Sequence, residues 1–269
     1  MTSIIVEPRH APLILSMPHA GRELPDHVAE RLNGQGRAMI DTDWWIERLY
    51  DFADQLDATV VRTKNSRYVI DLNRDPSGAS LYPGQASTAL CPLTTFDGEP
   101  IWRPGSDPDD GEIFERRTLY FEPYHRALAE QIERVRAEHG FVLLYDCHSI
   151  RSRVPRLFDG ELPAFNIGTN AGRSCAPAVR SAVTDVCAAA QGYSSVVDGR
   201  FKGGWITRHY GRPDAGVHAV QMELAQRTYM EEAPPWTFDD VRADAVRRVL
   251  RTALETMLAE AAKTLRKVR

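Results

Sequence analysis

Residues 141–150, FVLLYDCHSI, combine an apolar run with a polar end. Five apolar or aromatic residues lead directly into Asp146, Cys147 and His148. An uninterrupted apolar run followed by side chains that can do chemistry indicates a buried strand whose carboxyl end lies at a ligand site. Strand alternation places Asp146 and His148 on one face and Cys147 on the other, which separates the thiol from the imidazole. We therefore predict that this strand delivers His148 to a functional site.

Short apolar runs and longer helical patterns alternate along the rest of the chain. We predict strands at 12–19, 58–64, 67–73, 141–148, 164–169, 194–199 and 218–225. We predict helices near 42–57, 113–138, 173–190 and 238–265, with Pro123 as a kink and Thr237 as the last N-cap. This alternation indicates an α/β fold with a largely parallel sheet covered on both faces. We expect one domain, residues 1–269, in which the segment 75–111, rich in proline and glycine, covers the site as a candidate lid.

Composition excludes several classes of protein. A net charge of −4 over 269 residues gives no field that would attract nucleic acid or an anionic membrane. The sequence contains neither a secretory pattern at its start nor a transmembrane stretch, and no obligate protein partner is evident. Its four scattered cysteines favour neither a disulfide framework nor a cysteine-ligated zinc site. We expect a cytoplasmic protein.

Two histidines follow predicted strands, and carboxylates are within reach of them in the sequence. His19 comes after LILSMP, and His148 comes after FVLLYDC. Two neutral imidazoles and a carboxylate are the usual ligands of a catalytic divalent metal, for which zinc is the favoured ion. The acid is ambiguous, because Glu23, Asp41 and Asp43 all qualify. Either aspartate could instead cap the next helix.

A buried acid and two basic loops complete the candidate site. Glu223 lies within the apolar strand HAVQMELA, where an unpaired charge is costly, so it is either salt-bridged or functional. The loop 199–212 and the segment 151–156 are basic, which favours a small anionic substrate. Arg151, Arg208 and His209 are the candidates in these segments for binding it.

The motifs SMPHAG, DTDWWIERLYDFA, SRYVIDLNRDP, DCHSIRS, GRFKGGWITRHYG and HAVQMELA, in this order, resemble those of the N-formylglutamate deformylases. These enzymes are also called N-formylglutamate amidohydrolases. The resemblance covers about residues 10–260. More distantly, the order of the motifs is similar to that of the zinc carboxypeptidases and aspartoacylases. The resemblance implies a three-layer α/β/α sandwich with a mainly parallel mixed sheet.

The resemblance also implies a role for each matched residue. Its metal ligands would be His19, His148 and Asp43, and Glu223 would be the general base. Asn73 and Arg74 of the DLNR motif would bind a substrate carboxylate. The implied reaction is the metal-dependent hydrolysis of N-formyl-L-glutamate to formate and L-glutamate, the last step of one histidine-degradation route.

Three other functions are consistent with parts of the sequence. The first is a metal-dependent hydrolase of another N-acyl acidic amino acid, or a peptidase. The second is a metal-free hydrolase that uses Cys147 as its nucleophile. The third is a non-catalytic module that binds acidic amino acids. Such a module would have no use for His19, His148 and Glu223 together.

Overall fold

A computed structural model describes residues 3–81 and 84–265 as one seven-stranded mixed sheet with helices on both faces. The strands are β1 (Ile4–Glu7), β2 (Leu13–Met17), β3 (Thr59–Thr63), β4 (Val142–Ile150), β5 (Phe165–Gly168), β6 (Ser195–Val197) and β7 (Val217–Ala225). The α-helices are α1 (Asp26–Ala29), α2 (Gly34–Ala38), α3 (Ile46–Leu49), α4 (Asp110–Arg116), α5 (Glu122–His139), α6 (Pro177–Ala189), α7 (Trp205–Tyr210) and α8 (Asp240–Thr264).

The sheet has the order β1-β3-β2-β4-β7-β5-β6. Only the β1–β3 and β5–β7 pairs are antiparallel, so the sheet is mainly parallel. Consecutive residues of β4 face opposite sides, and both sides are apolar. Leu143 packs in the layer with α6 and α8, whereas Leu144 packs in the layer with α5. The predicted three-layer α/β/α sandwich is therefore confirmed, with β4 and β7 fully buried at its centre.

The predicted strand at 67–73 is wrong. These residues form buried turns instead, in which the Val69 amide donates to Ser66 and the Asp71 amide to Leu90. Tyr68, Val69 and Ile70 are buried apolar residues, which is why the run resembles a strand. A segment buried by loops and helices has the same apolar composition as a strand buried in a sheet. The composition of a segment therefore does not distinguish the two cases.

The predicted helix at 42–57 is interrupted. It consists of the short α3 and a 3₁₀ helix at Asp51–Leu56, and α3 begins after Trp45, whose positive φ of 62° starts the turn. The prediction at 113–138 is closer, because α4, a π-helical turn at Arg117–Phe121 and α5 follow one another, with Pro123 in the first turn of α5. Helix α8 has Asp239 as its N-cap rather than Thr237.

The proline-rich excursion contributes residues to the candidate site, and its membership of a single domain stays a prediction. Between residues 75 and 109, the described part has no helix or strand, and Ala86, Thr88 and Phe96 line a cavity at the carboxyl end of the sheet. Its movement as a lid stays a prediction. Within the described residues, no helix has the length and apolar character needed to cross a bilayer.

Candidate active site

His19, Asp43 and His148 converge in the interior of the protein at the carboxyl end of the sheet. All three side chains are buried, and one potential ligand atom from each lies within 4.8 Å of the others. Asp43 Oδ2 is 3.0 Å from His148 Nδ1 and 3.6 Å from His19 Nδ1. The two imidazole centroids are 4.9 Å apart. The structure therefore assembles the three residues that the sequence nominated as metal ligands.

Each residue of the cluster comes from a different part of the fold. His148 lies on β4, and its neighbour in register is Glu223 on β7. His19 follows β2 by two residues, and its carbonyl accepts a hydrogen bond from the Asp43 amide at 3.2 Å. Gly21 lets this turn approach the backbone after β3, since a Cβ there would lie 2.2 Å from the Asn65 oxygen.

Two buried carboxylates lie within hydrogen-bond distance of the Nε2 atoms of the two histidines. His19 Nε2 lies 2.8 Å from Asp71 Oδ1, and His148 Nε2 lies 2.9 Å from Asp146 Oδ2. A neutral imidazole that donates through Nε2 presents its Nδ1 lone pair, and here both Nδ1 atoms face Asp43. A carboxylate behind each ligating histidine is the usual arrangement around a protein-bound metal.

The irregular segment 67–74 supplies three of the charged residues around the site: Arg67, Asp71 and Arg74. Arg67 donates to Asp71 at 2.6 Å and lies 3.6 Å from Asp43 Oδ1, while Arg74 lies 3.5 Å from Asp71. Asn73 donates to Asp146 at 3.2 Å, and its Oδ1 accepts from the Ile206 amide. Arg67 and Asn73 therefore fix the groups behind the histidines as well as lining the cavity.

The residues present fit a divalent metal. Within the described chain, His19 Nδ1 and Asp43 Oδ1 are buried atoms without a hydrogen-bond partner. Four buried carboxylates (Asp43, Asp71, Asp146 and Glu223) surround the two imidazoles, and the guanidinium groups of Arg67, Arg74 and Arg200 line the same cavity. Burial lowers the pKa of His148, but Asp146 and Asp43 raise it well above its ordinary value. The carboxylates therefore favour a positive charge at the imidazoles, which a bound cation would supply.

Protonation at the cluster is strongly perturbed. Burial raises the pKa of Glu223 to about 7, although the nearby His148 lowers it in part. Burial also disfavours an ionised Asp43, but its hydrogen bond to His148 and its proximity to His19 hold its pKa below the ordinary value. Such shifts in a cleft are typical of catalytic groups.

A cavity opens above the cluster. His19, His148 and Glu223 lie at its base, and its volume is about 60 Å³. Its wall also contains Arg74, Arg200 and apolar side chains, among them Ile150, Leu157 and Phe201. A small anion with an apolar portion matches this lining.

The structure separates the predicted substrate-binding residues into two groups. Asn73 and Arg74 line the cavity, but Arg151, Arg208 and His209 do not. Arg151 donates to Asp97 at 2.6 Å, and Arg208 donates to the backbone oxygens of Gly203 and Leu81.

His209 stacks on Trp205 with centroids 4.7 Å apart and borders a different surface cavity. These three residues were nominated on local charge alone, which does not determine where a side chain points.

Sequence reasoning missed two arginines of the cavity. It counted Arg200 only as one charge of a basic loop, yet Arg200 lies in the cavity wall. Arg67 was not singled out, although a lone arginine beside the apolar run YVI is the signal that could have identified it. Its guanidinium packs 4.7 Å above the Phe96 ring. An arginine is buried only where acidic groups from elsewhere in the fold pair with it. An arginine beside an apolar run is therefore a candidate site residue.

The alternatives for the third ligand lie outside the cluster. Asp41 accepts hydrogen bonds from the Tyr68 hydroxyl and the Phe96 amide, both at 2.8 Å. Glu23 is exposed on the loop after β2. Neither Asp41 nor Asp43 caps α3, whose N-cap is Trp45.

Cys147 does not reach the cavity. It is fully buried on the other face of the sheet, and burial raises the pKa of its thiol well above the usual range. A nucleophilic cysteine requires an accessible thiolate, so the structure argues against a metal-free thiol hydrolase.

Comparison with known proteins shows which family this sequence resembles. A profile of the N-formylglutamate amidohydrolase family matches residues 11–230. An N-formylglutamate deformylase from Pseudomonas aeruginosa PAO1 is 52% identical over 248 residues, covering 92% of this chain and 93% of the relative. One from Pseudomonas putida is 49% identical over 248 residues, covering 92% of each.

A crystal structure of an N-formylglutamate amidohydrolase from Ralstonia eutropha JMP134 superposes with a TM-score of 0.81 at 22% identity. The match covers 98% of this chain and all of that one, and it supports the fold. Together with the sequence matches, these findings show that the chain belongs to the N-formylglutamate amidohydrolase family.

Proposed function

We propose that the chain hydrolyses N-formyl-L-glutamate to formate and L-glutamate with one bound zinc ion. The observation that carries this proposal is the cluster of His19, Asp43 and His148 beneath a small cavity that also contains Glu223. The names of the relatives supply the substrate, and the arginines of the cavity wall fit its two carboxylates. His19 and His148 would hold the metal through Nδ1, and Asp43 would hold it through a carboxylate oxygen.

When bound, the metal would supply an electrophilic centre that acidifies water and polarises the formyl oxygen. Glu223 takes the proton of the attacking water and returns it to the amine of the departing glutamate. A pKa of about 7 suits this exchange, because the carboxylate is then a usable base and its conjugate acid a usable donor. Arg67 lines the same cavity and offers positive charge to the oxyanion of the tetrahedral intermediate.

The substrate carboxylates are bound by the wall of the cavity. We assign them to Arg74 and Arg200, which both face it. Arg74 now donates to the Thr88 carbonyl, and Arg200 donates to the carbonyls of Leu157 and Ala86. A carboxylate is a stronger acceptor than a carbonyl, so an anionic substrate can compete for these donors. The side-chain amide of Asn73 donates to Asp146. Its contact with the substrate stays a prediction.

We propose that the protein acts in the cytoplasm. All four cysteines are buried and unpaired, which favours a reducing compartment.

The decisive experiment is formate release from N-formyl-L-glutamate before and after removal of metal with a chelator, followed by addition of zinc. We expect activity to disappear and to return with about one equivalent of zinc per chain. Activity that persists in metal-free protein would refute metal dependence. Zinc-loaded protein that releases no formate would refute the substrate.

A further inference from the structure

Gln221 lies on β7 two residues before Glu223, so both side chains are on the same face of the strand. It is buried and lines the catalytic cavity. We propose that Gln221 is a positioning residue that holds the carboxylate of the general base and ties it to the wall of the cavity. This inference rests on the role proposed for Glu223.

One hydrogen bond links the two side chains. Gln221 Nε2 donates to Glu223 Oε2 at 3.0 Å. In the part of the chain that the structure describes, this is the only hydrogen bond that the Glu223 carboxylate receives. A glutamate with no such restraint would sample several rotamers, and a general base must stay within reach of the proton that it removes. Gln221 thus restrains one oxygen and leaves the other for the reaction.

The orientation of the Gln221 amide is determined by its other end. Oε1 accepts the backbone N–H of Gly204 at 2.7 Å. A backbone N–H can only donate, so the oxygen must face Gly204 and the NH₂ group must face Glu223. Reversing the amide would set two donors against each other at Gly204 and two acceptors against each other at Glu223.

Two glycines allow the loop to come close enough for this contact. A Cβ at Gly168 on β5 would lie 2.5 Å from the Gly203 nitrogen, and one at Gly204 would lie 2.4 Å from Asn73 Nδ2. The same loop carries Arg200 and Phe201 into the cavity wall. Gln221 is therefore the direct link between the loop that meets the substrate and the base that acts on it.

Two substitutions separate the roles of the amide. Gln221→Met keeps the length of the side chain but removes both hydrogen bonds. Gln221→Glu keeps an acceptor for Gly204 but replaces the amide donor with a carboxylate. Assayed at alkaline pH, where the two carboxyl groups no longer share a proton, this carboxylate repels Glu223 instead of holding it. We expect kcat for N-formyl-L-glutamate to fall about ten-fold or more in both variants, with KM changed less than about three-fold and zinc content unchanged. Near-normal kcat in Gln221→Glu would overturn the inference, because anchoring of Gly204 would then be sufficient.

A double-mutant cycle tests whether Gln221 acts through Glu223. Adding Gln221→Met to Glu223→Gln should lower the residual kcat no further, since the base is already absent. A further loss equal to that of the single Gln221→Met variant would show an independent structural role and overturn the inference. Full activity of Glu223→Gln alone would instead refute the proposed general base, and the role of Gln221 would fail with it. The two failures are therefore distinguishable.

His218→Leu is the matched control. His218 lies on the same strand and is also buried, but it accepts from the Ala176 amide away from the cavity. We expect this variant to lower the melting temperature and to keep kcat. A kcat loss as large as that of Gln221→Met would show that any buried hydrogen bond of β7 has this effect and would also overturn the inference.

Discussion

The base and the wall of the cavity are built differently. At the base, His19 and His148 are held by the carboxylates of Asp71 and Asp146, all of them buried. In the wall, Arg74 and Arg200 donate to backbone carbonyls of neighbouring segments, and Arg74 also lies 3.5 Å from Asp71. Ion pairs and charged hydrogen bonds hold the base in one geometry, whereas the wall also uses carbonyl acceptors that a carboxylate can replace. We infer that the base determines whether the reaction occurs and that the wall determines which substrate is accepted.

Loss of a ligand should have the largest effect. Asp43→Asn should release the metal and lower turnover by about a thousand-fold or more, because the metal supplies several kcal/mol of stabilisation to the transition state. Metal content by atomic absorption and formate release would measure the two effects. Glu23→Gln is the control and should keep both, since Glu23 is exposed outside the cluster. Retention of stoichiometric metal by Asp43→Asn would show that the third ligand is a different residue.

Loss of the base should rank second. Glu223→Gln keeps the shape of the side chain and should keep the metal, but it removes the proton acceptor. We expect kcat to fall by about a hundred-fold to ten-thousand-fold with KM little changed. Parallel measurements of zinc content and steady-state kinetics would test this. A variant that lost its zinc would make Glu223 a ligand rather than the base.

Substitutions in the wall should alter substrate selection. Arg200→Met should raise KM for N-formyl-L-glutamate about ten-fold to a hundred-fold, as expected for loss of a charged hydrogen bond. N-formyl-L-glutamine has the same size and one carboxylate fewer, so comparing the two substrates shows whether Arg200 holds the side-chain carboxylate.

Arg208→Met forms the matched comparison, because Arg208 was nominated from sequence but lies outside the cavity. We expect its KM to change less than about three-fold. A larger effect from Arg208 than from Arg200 would mean that the loop rearranges around the substrate.

The change of kcat/KM with pH near neutrality should be the smallest of the predicted effects. Burial raises the pKa of Glu223 from 4.5 to about 7, and catalysis requires its ionised form. Lowering the pH through about 7 protonates the base, so kcat/KM should fall about ten-fold for each unit below that value and level off above it. A profile of kcat/KM from pH 5 to 9 would measure this. Constant activity down to pH 5 would contradict a raised pKa for the base.

The sequence was most informative where a regular element carries the site. FVLLYDCH is a strand with the predicted alternation, and it delivers His148 to the cluster while turning Cys147 away. It was least informative at 67–74, which also contains an apolar run but forms turns. There the backbone hydrogen bonds run to Ser66 and Leu90, and no local pattern specifies such partners.

From sequence alone, we could predict the type of fold, the metal-ligand candidates and a candidate general base. Periodicity and residue chemistry are local properties, and the family motifs preserve their order along the chain. Tertiary structure decided which arginines face the cavity, since Arg67 and Arg200 line it and Arg151 and Arg208 do not. It also decided that Asp43 rather than Asp41 joins the histidines. The sign of a charge in a loop follows from the sequence. The direction in which its side chain points depends on contacts with segments far away along the chain.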